Sequence, residues 1–502
     1  MNRHFSIILI LLLSAVLFSL TACKPKTIDQ PEETIIVRVR DKTISLNEFI
    51  RRAEYTIRPA YCRGDYPFHK KIVLNSLIAE KLLAYEADGA EELLHDIEFK
   101  EYLRGRKEQA MRQWNFKVEA LDKVQLKEEE LKKGYRYAGR TYRVAYINLP
   151  NQEIAHLFEQ ELTNNKSQID AAFMQLLNLD SIPERIIDWS SPEPDVIHDA
   201  LFTDSLHIGQ IIGPLKIENN HFLVMRINGW TTKVAMSESQ VNQRWQDVRE
   251  KLTAKKAHRI YEQYVAKLMQ GKKIVFNEAT FRELVNIIGP EYYRSEQEKQ
   301  NAFNKKFWNK DSEEMILDDP GNRLDQIKDQ PLFTVDGKTW TVGEYEMAIL
   351  SHPLVFRKRN MPKNEFAEQF KLAIVDMVRD QYITADAYRK GLDQVNVVQR
   401  EYEMWRDNLL SLYQKYRYLD NLGVQETNQL TVIEKYLNSY IISLRQKYSD
   451  QIEIDTKLFN DTQLTGIDMF VVQRNVAFPI IVPGFPLLTT NDKLDYGRKM
   501  KP

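Results

Sequence analysis

The sequence predicts a mainly helical α+β protein built from two related helical modules, the first interrupted by an inserted α/β domain. Three observations predict it. The phrase "KTISLNEF" (Lys42–Phe49) returns as "KTWTVGEY" (Lys338–Tyr345). Long stretches with apolar residues at helical spacing follow both copies. Glycine and proline number only 18 each in 502 residues, which fits helices better than the many turns of an all-β chain. The length calls for several domains rather than one core. With 43% hydrophobic and 28% charged residues the chain belongs with folded proteins. A net charge of −1 provides no basic field, so no nucleic-acid partner is expected.

At the N-terminus, "MNRH" is a short positive start and "FSIILILLLSAVLFSL" (Phe5–Leu20) is an apolar run short for a membrane span. Together they read as a secretory signal peptide. The run ends in "LTAC" (Leu20–Cys23), which resembles a bacterial lipobox. The resemblance implies lipidation of Cys23 and cleavage before it. The plainer alternative is an ordinary signal peptide with an incidental cysteine. Acyl chains contribute about 0.8 kcal/mol per buried methylene and would anchor the mature protein to a membrane. Lys24 follows the lipidated position, and by the resemblance points to the outer membrane in a diderm host. Cys62 is the other cysteine, so a lipidated Cys23 leaves no intramolecular disulfide. "KPKTIDQPEET" (Lys24–Thr34) reads as a polar tether.

The first module opens on "IIVRVR" (Ile35–Arg40), an alternating strand. Its counterpart is "LFTVDG", with Val37 matching Phe333, Val39 matching Val335 and Asp41 matching Gly337. Both copies then write a capping box, Ser45 with Glu48 and Thr341 with Glu344. The hydroxyl takes an orphan amide and the glutamate reaches back, which fixes the helix start. "IVLNSLIAEKLLAYEA" (Ile72–Ala87) is matched by "LAIVDMVRDQYITADA" (Leu372–Ala387), each with an apolar face. Charged helices follow. Later "YEQYVAKLMQGKKIVFNEATF" (Tyr261–Phe281) is echoed by "LNSYIISLRQKYSDQIEIDTKLF" (Leu437–Phe459), a helix and then a strand in each case. The repeat is a whole module.

In order and motif, these modules resemble the helical chaperone arm of the SurA and PrsA periplasmic foldases. "VQLKEEELKKGYRY" (Val124–Tyr137) is similar to the stretch that leads into that family's parvulin-type prolyl isomerase domain. The resemblance implies a signal peptide over 1–22, a tether over 23–34 and a first arm over 35–139. A parvulin-like domain over 140–232 and completing helices over 233–300 follow. A linker over 301–331, a second arm over 332–461 and an apolar, proline-containing tail over 462–502 finish the chain.

Within the insert, "YRVAYINL" reads as a strand, "QEIAHLFEQEL" and "SQIDAAFMQLL" as helices, "ERIIDW" as a strand and "DVIHDALF" as a short helix. "IIGPLKIENNHFLVMRI" reads as a hairpin turned at Asn219–Asn220. The order resembles a parvulin domain, and Gly209, Gly213 and Pro214 keep its late signature. Prolyl isomerases work against a barrier of about 18–20 kcal/mol. In parvulins two histidines floor the site. His221 matches the second, whereas Tyr146 stands where the first is expected. A phenol cannot reproduce an imidazole pair, and "DWSSPEPD" replaces the usual glycine-rich stretch. The resemblance places Ile197 and Phe202 in what remains of the proline slot. The expectation is a parvulin fold with weakened or lost catalysis; a polar residue opening a strand is the alternative role for His221.

Other motifs fall away. "GYRYAGRT" approximates a phosphate loop but is bulky and precedes a strand, so no nucleotide is expected. The nine histidines are scattered without metal spacing, and no cofactor or metal is expected. The tail "VAFPIIVPGFPLL" (Val476–Leu488) is apolar with three prolines, unsuited to a helix. It either docks along an arm of its own chain or occupies the client groove. The implied function is a lipid-anchored, extracytoplasmic chaperone that holds unfolded client polypeptides. An active prolyl isomerase and a structural lipoprotein gripping one envelope partner are the alternatives.

Overall fold

The computed structural model describes residues 30–500 except 65, 88–90, 165–180, 205, 218–220, 294–319, 359–360, 466–468 and 470–479. The signal peptide, Cys23, the "SQIDAAFMQLL" helix, the Asn219–Asn220 turn and most of the linker therefore lie outside the described residues. The chain is mainly helical with small sheets, the expected class. Two compact units divide it: one joins 1–115 to 268–502, the other is 116–267.

In chain order the elements are β1 (Ile35–Val39), β2 (Lys42–Ser45), α1 (Leu46–Glu54), α2 (Pro67–Ala87) and α3 (Ile97–Glu119). Next come α4 (Glu128–Tyr137), β3 (Arg140–Leu149), α5 (Gln152–Asn164), β4 (Glu184–Asp188) and α6 (Asp195–Leu201). β5 (Ile211–Lys216), β6 (Phe222–Thr232) and α7 (Glu238–Leu268) follow. Then come β7 (Ile274–Phe276), α8 (Glu278–Tyr292), β8 (Pro331–Val335), β9 (Lys338–Thr341), α9 (Val342–Ser351) and α10 (Phe366–Arg389). The last are α11 (Asn396–Asn421), α12 (Asn438–Lys447), β10 (Ile452–Ile454), α13 (Thr456–Asp461) and β11 (Arg498–Lys499).

In the larger unit both copies of the repeated phrase form a hairpin leading into a helix. Asp336 and Gly337, at φ 51° and 77°, make the second hairpin's tight turn in the left-handed region. The third strand of each sheet comes from the other copy. β10, which ends the second copy, pairs antiparallel with β1, Val37 opposite Ile454 and Val39 opposite Ile452. β7, which ends the helices completing the first copy, pairs with β8, Ile274 opposite Val335 and Phe276 opposite Phe333. The cores follow. One joins Val37, Ile44, Phe49, Leu77 and Leu82 to Ile441, Leu444, Ile454 and Phe459. The other joins Phe281, Leu284 and Ile287 to Phe333, Tyr345, Phe370 and Met377.

The long helices are exchanged in the same sense. α11 of the second copy lies on α2 of the first, where Asn408 donates to Glu80 at 2.8 Å. α3 of the first reaches α10 of the second, where Arg112 donates to Thr384 at 2.8 Å. A Cβ on Gly105 in α3 would sit 1.7 Å from the carbonyl oxygen of Ser351, so only glycine permits this approach. The sequence reading places the copies one after the other, 35–139 with 233–300 and then 332–461; in the larger unit strands and helices from these ranges interleave.

The smaller unit has an antiparallel sheet in the order β4-β3-β6-β5. Successive side chains of β3 point to opposite faces of the sheet, and each face packs on its own cluster. Tyr142 and Val144 join one cluster with Trp189, Leu201, Met225 and Val248. Ile147 and Leu149 join another with Ala155, Phe158 and Val224.

Candidate functional site

The parvulin-like site was expected at Tyr146, His221, Ile197 and Phe202. Tyr146 is half-buried on β3, opposite Met225, with the Arg185 guanidinium carbon 5.4 Å from its ring centre. His221 is exposed just before β6, and its carbonyl accepts from the Ile217 amide at 2.9 Å. His221 lies four positions before Met225, the partner of Tyr146, about 13 Å along a strand. The structure does not bring the two side chains together.

Ile197 and Phe202 are 3% and 7% exposed. They belong to a closed core and line no open slot, because neighbouring aromatic rings fill the space. Tyr142 meets Phe202 edge-on at 5.4 Å, and Trp189 does so at 5.1 Å. Such edge-to-face contacts satisfy the ring quadrupoles and leave no room for a proline ring.

Sequence reasoning missed His198. It sits between Ile197 and Asp199 on α6, 3% exposed, its ring stacked on Phe202 at 4.5 Å and edge-on to Trp189 at 4.5 Å. Its Nε2 has no hydrogen-bond partner among the described residues. Burial first, then the nearby Lys251 and Lys255 ammonium groups, push its pKa down to about 3. These influences favour the neutral imidazole, packed between the Trp189 and Phe202 rings. The only signal in "DVIHDALF" is a histidine on the apolar face of a short helix, which describes core histidines equally well.

The opposite face of the sheet has a small recess lined by Ala145, Ile147, Phe158, Ile182, Ile211, Val224 and Arg226. Its lining offers neither a carboxylate nor a nucleophile. Among the described residues no group of three His, Cys, Asp or Glu could hold a metal ion.

The larger unit carries a second candidate, a groove filled by the chain's own C-terminal segment. Arg52 on α1, fully buried, holds Glu80 on α2 through two 2.8 Å bonds and donates to the carbonyl of Gly484 at 2.9 Å. Burial pulls against its charge, but Glu80, with Glu48 and Asp407 nearby, raises its pKa overall. Lys81 bridges Glu48 at 2.9 Å and Asp407 at 3.0 Å, and Lys42 reaches Asp407 at 2.6 Å. Buried charges of this kind stand only when paired and hydrogen-bonded.

Around this network the segment from Ile480 to Met500 runs without helix, and only β11 pairs into a sheet. Asn75 on α2 donates to the carbonyls of Asn491 at 2.6 Å and Lys493 at 3.0 Å, and accepts from the Tyr496 hydroxyl at 2.5 Å. Lys415 on α11 donates to the carbonyl of Leu487 at 3.2 Å. Asn438 on α12 accepts from the Thr489 hydroxyl at 2.7 Å and the Thr490 amide at 3.1 Å. Phe485 and Leu488 are buried in the same core as Phe49 and Leu77. The Arg445 guanidinium lies 4.6 Å over the Tyr496 ring. The described part of the predicted tail thus docks on its own chain.

Among the described residues no helix is long and apolar enough to cross a membrane. No family model and no curated protein matches the sequence. Among solved structures, the chain is similar to the crystal structure of foldase protein PrsA from Streptococcus pneumoniae. The identity is 15%, the match covers 53% of this chain and 97% of that one, and the TM-score is 0.20.

Proposed function

We propose that this protein is a lipid-anchored, extracytoplasmic holdase that shelters unfolded polypeptides, with its parvulin-like unit serving as scaffold rather than enzyme. One observation carries the reading. The helical unit clasps an irregular, proline-containing stretch of polypeptide through buried side chains aimed at its main chain, while burying its apolar side chains. That is the chemistry a holder of non-native chains requires. The isomerase alternative is disfavoured by the separation of Tyr146 from His221 and by the closed packing of Ile197 and Phe202. The lipobox at Cys23 supports attachment at the periplasmic face of the outer membrane, and neither a cofactor nor nucleic acid has a part in the reading.

The purified protein should suppress aggregation of an unfolded client. It should accelerate prolyl isomerisation little against an uncatalysed time of roughly tens to hundreds of seconds. His221→Ala should leave both properties unchanged. Robust turnover abolished by His221→Ala would establish the enzyme instead. Cys23→Ala should release the protein from the membrane fraction; retention after a salt wash would remove the anchor from the proposal. Crosslinking in cells should capture many clients, whereas one stoichiometric partner would point to a structural lipoprotein.

A further inference from the structure

The C-terminal segment is held in a manner unusual for a piece of core. Between Gly484 and Lys493 five of its main-chain groups meet side chains instead of a sheet ladder: Arg52 at Gly484, Lys415 at Leu487, Asn75 at Asn491 and Lys493, Asn438 at Thr490. These four residues sit on four different helices, α1, α11, α2 and α12, drawn from both copies of the repeat. Contacts to carbonyls and amides do not depend on which residue carries them, so the clasp reads polypeptide as such. Arg52 and Asn75 are 0% exposed. With the segment seated these donors are sealed from water, so in the closed state an occupant must bring carbonyls to meet them. The burial of Phe485 and Leu488 beside those donors adds the second requirement, apolar side chains.

We infer that this groove is a polypeptide-binding site closed by the chain's own Ile480–Met500 segment. When that segment is displaced, the groove takes a non-helical stretch of another polypeptide bearing apolar side chains. The identity of that stretch as a client rests on the holding function proposed above; the exchangeability of the segment does not.

The test keeps the full chain. A specific protease site is placed between Arg474 and Asn475 and cut after folding, so the segment remains seated but is no longer tethered. A fluorescent synthetic peptide spanning Ile480–Pro502 is then added in excess and followed by anisotropy. The cut protein should take up one peptide per chain, and the uncut protein none. Asn75→Leu, which removes two carbonyl contacts, and the less buried Asn438→Ala should each weaken uptake about tenfold. An unfolded client should compete with the labelled peptide. Failure of the cut protein to exchange below its unfolding temperature would show a fixed structural strap and overturn the inference. Uptake that neither substitution alters would overturn it as well, because binding would then lie elsewhere. Exchange without competition by client would remove the client from the inference. Aggregation suppression, measured on the same uncut sample, reports separately on the holding function and can stand or fall by itself.

Discussion

Lys415 is a buried ammonium that, among the described residues, donates to the Leu487 carbonyl and the Gln429 side chain, and burial lowers its pKa to about 8. The unfolded chain keeps the proton to about 10.4. Between those values the unfolded state binds more protons, so stability rises with pH across that window. Chemical denaturation at pH 7.5 and 9.5 should show the parent gaining stability relative to Lys415→Met; equal slopes in both proteins would show that Lys415 stays hydrated. His198 behaves in the same direction at lower pH. Its folded pKa near 3 lies below the ordinary 6.5, so stability is complete above 6.5 and is lost as pH falls toward 3. Acid unfolding followed by tryptophan fluorescence should move to lower pH in His198→Leu, since Trp189 reports on this packing. An unchanged midpoint would remove His198 from the acid response of its unit.

The two repeated helix starts show how one motif takes two roles. Thr341 and Glu344 form the full reciprocal box, with bonds of 3.2 and 3.0 Å. Ser45 also caps its helix, accepting from the Glu48 amide at 3.0 Å, but the Glu48 carboxylate turns to Lys81. A buried ammonium without its carboxylate costs more than an exposed amide without its cap, so the ion pair wins. Thr341→Ala should therefore cost roughly 0.5–2 kcal/mol. Glu48→Ala should cost more than Glu344→Ala, on the order of 3 kcal/mol, because it strips a buried charge. Denaturant titrations of the two glutamate variants decide this; equal losses would mean that Lys81 is satisfied by Asp407 alone.

At the scale of the whole chain, the exchanged strands make the two copies of the larger unit one interlocked body. Opposed residues on antiparallel strands bring Cα atoms within disulfide range. Arg38 faces Glu453 across β1 and β10, and Val275 faces Thr334 across β7 and β8. Chains carrying Arg38→Cys with Glu453→Cys, or Val275→Cys with Thr334→Cys, should oxidise within the molecule. After a protease cut placed at Lys310, the two halves should then run as one band on a non-reducing denaturing gel. Two bands would mean that each hairpin is completed from its own copy.

Much of this was legible in the residues. The alternation of Ile35–Arg40 and of Tyr142–Leu149, the capping hydroxyls and the apolar faces of the long helices fixed the elements, since each depends on neighbours a few positions away. The recurrence of the Lys42–Phe49 phrase at Lys338–Tyr345 was equally plain, because repeated spacing needs no coordinates. The docking of the tail was foreseen as one of two outcomes, from the cost of leaving prolines and apolar side chains in water. Which hairpin takes which closing strand was not legible. Ile274–Phe276 and Ile452–Ile454 both place apolar residues at their first and third positions, so either could complete either sheet while burying similar side chains. Nor could the sequence show that Glu48 and Glu344 part ways, or that His198, Ile197 and Phe202 close on one another, because their partners lie on other elements. Local physics chose the elements; the packing of distant segments around shared buried charges and rings chose their partners.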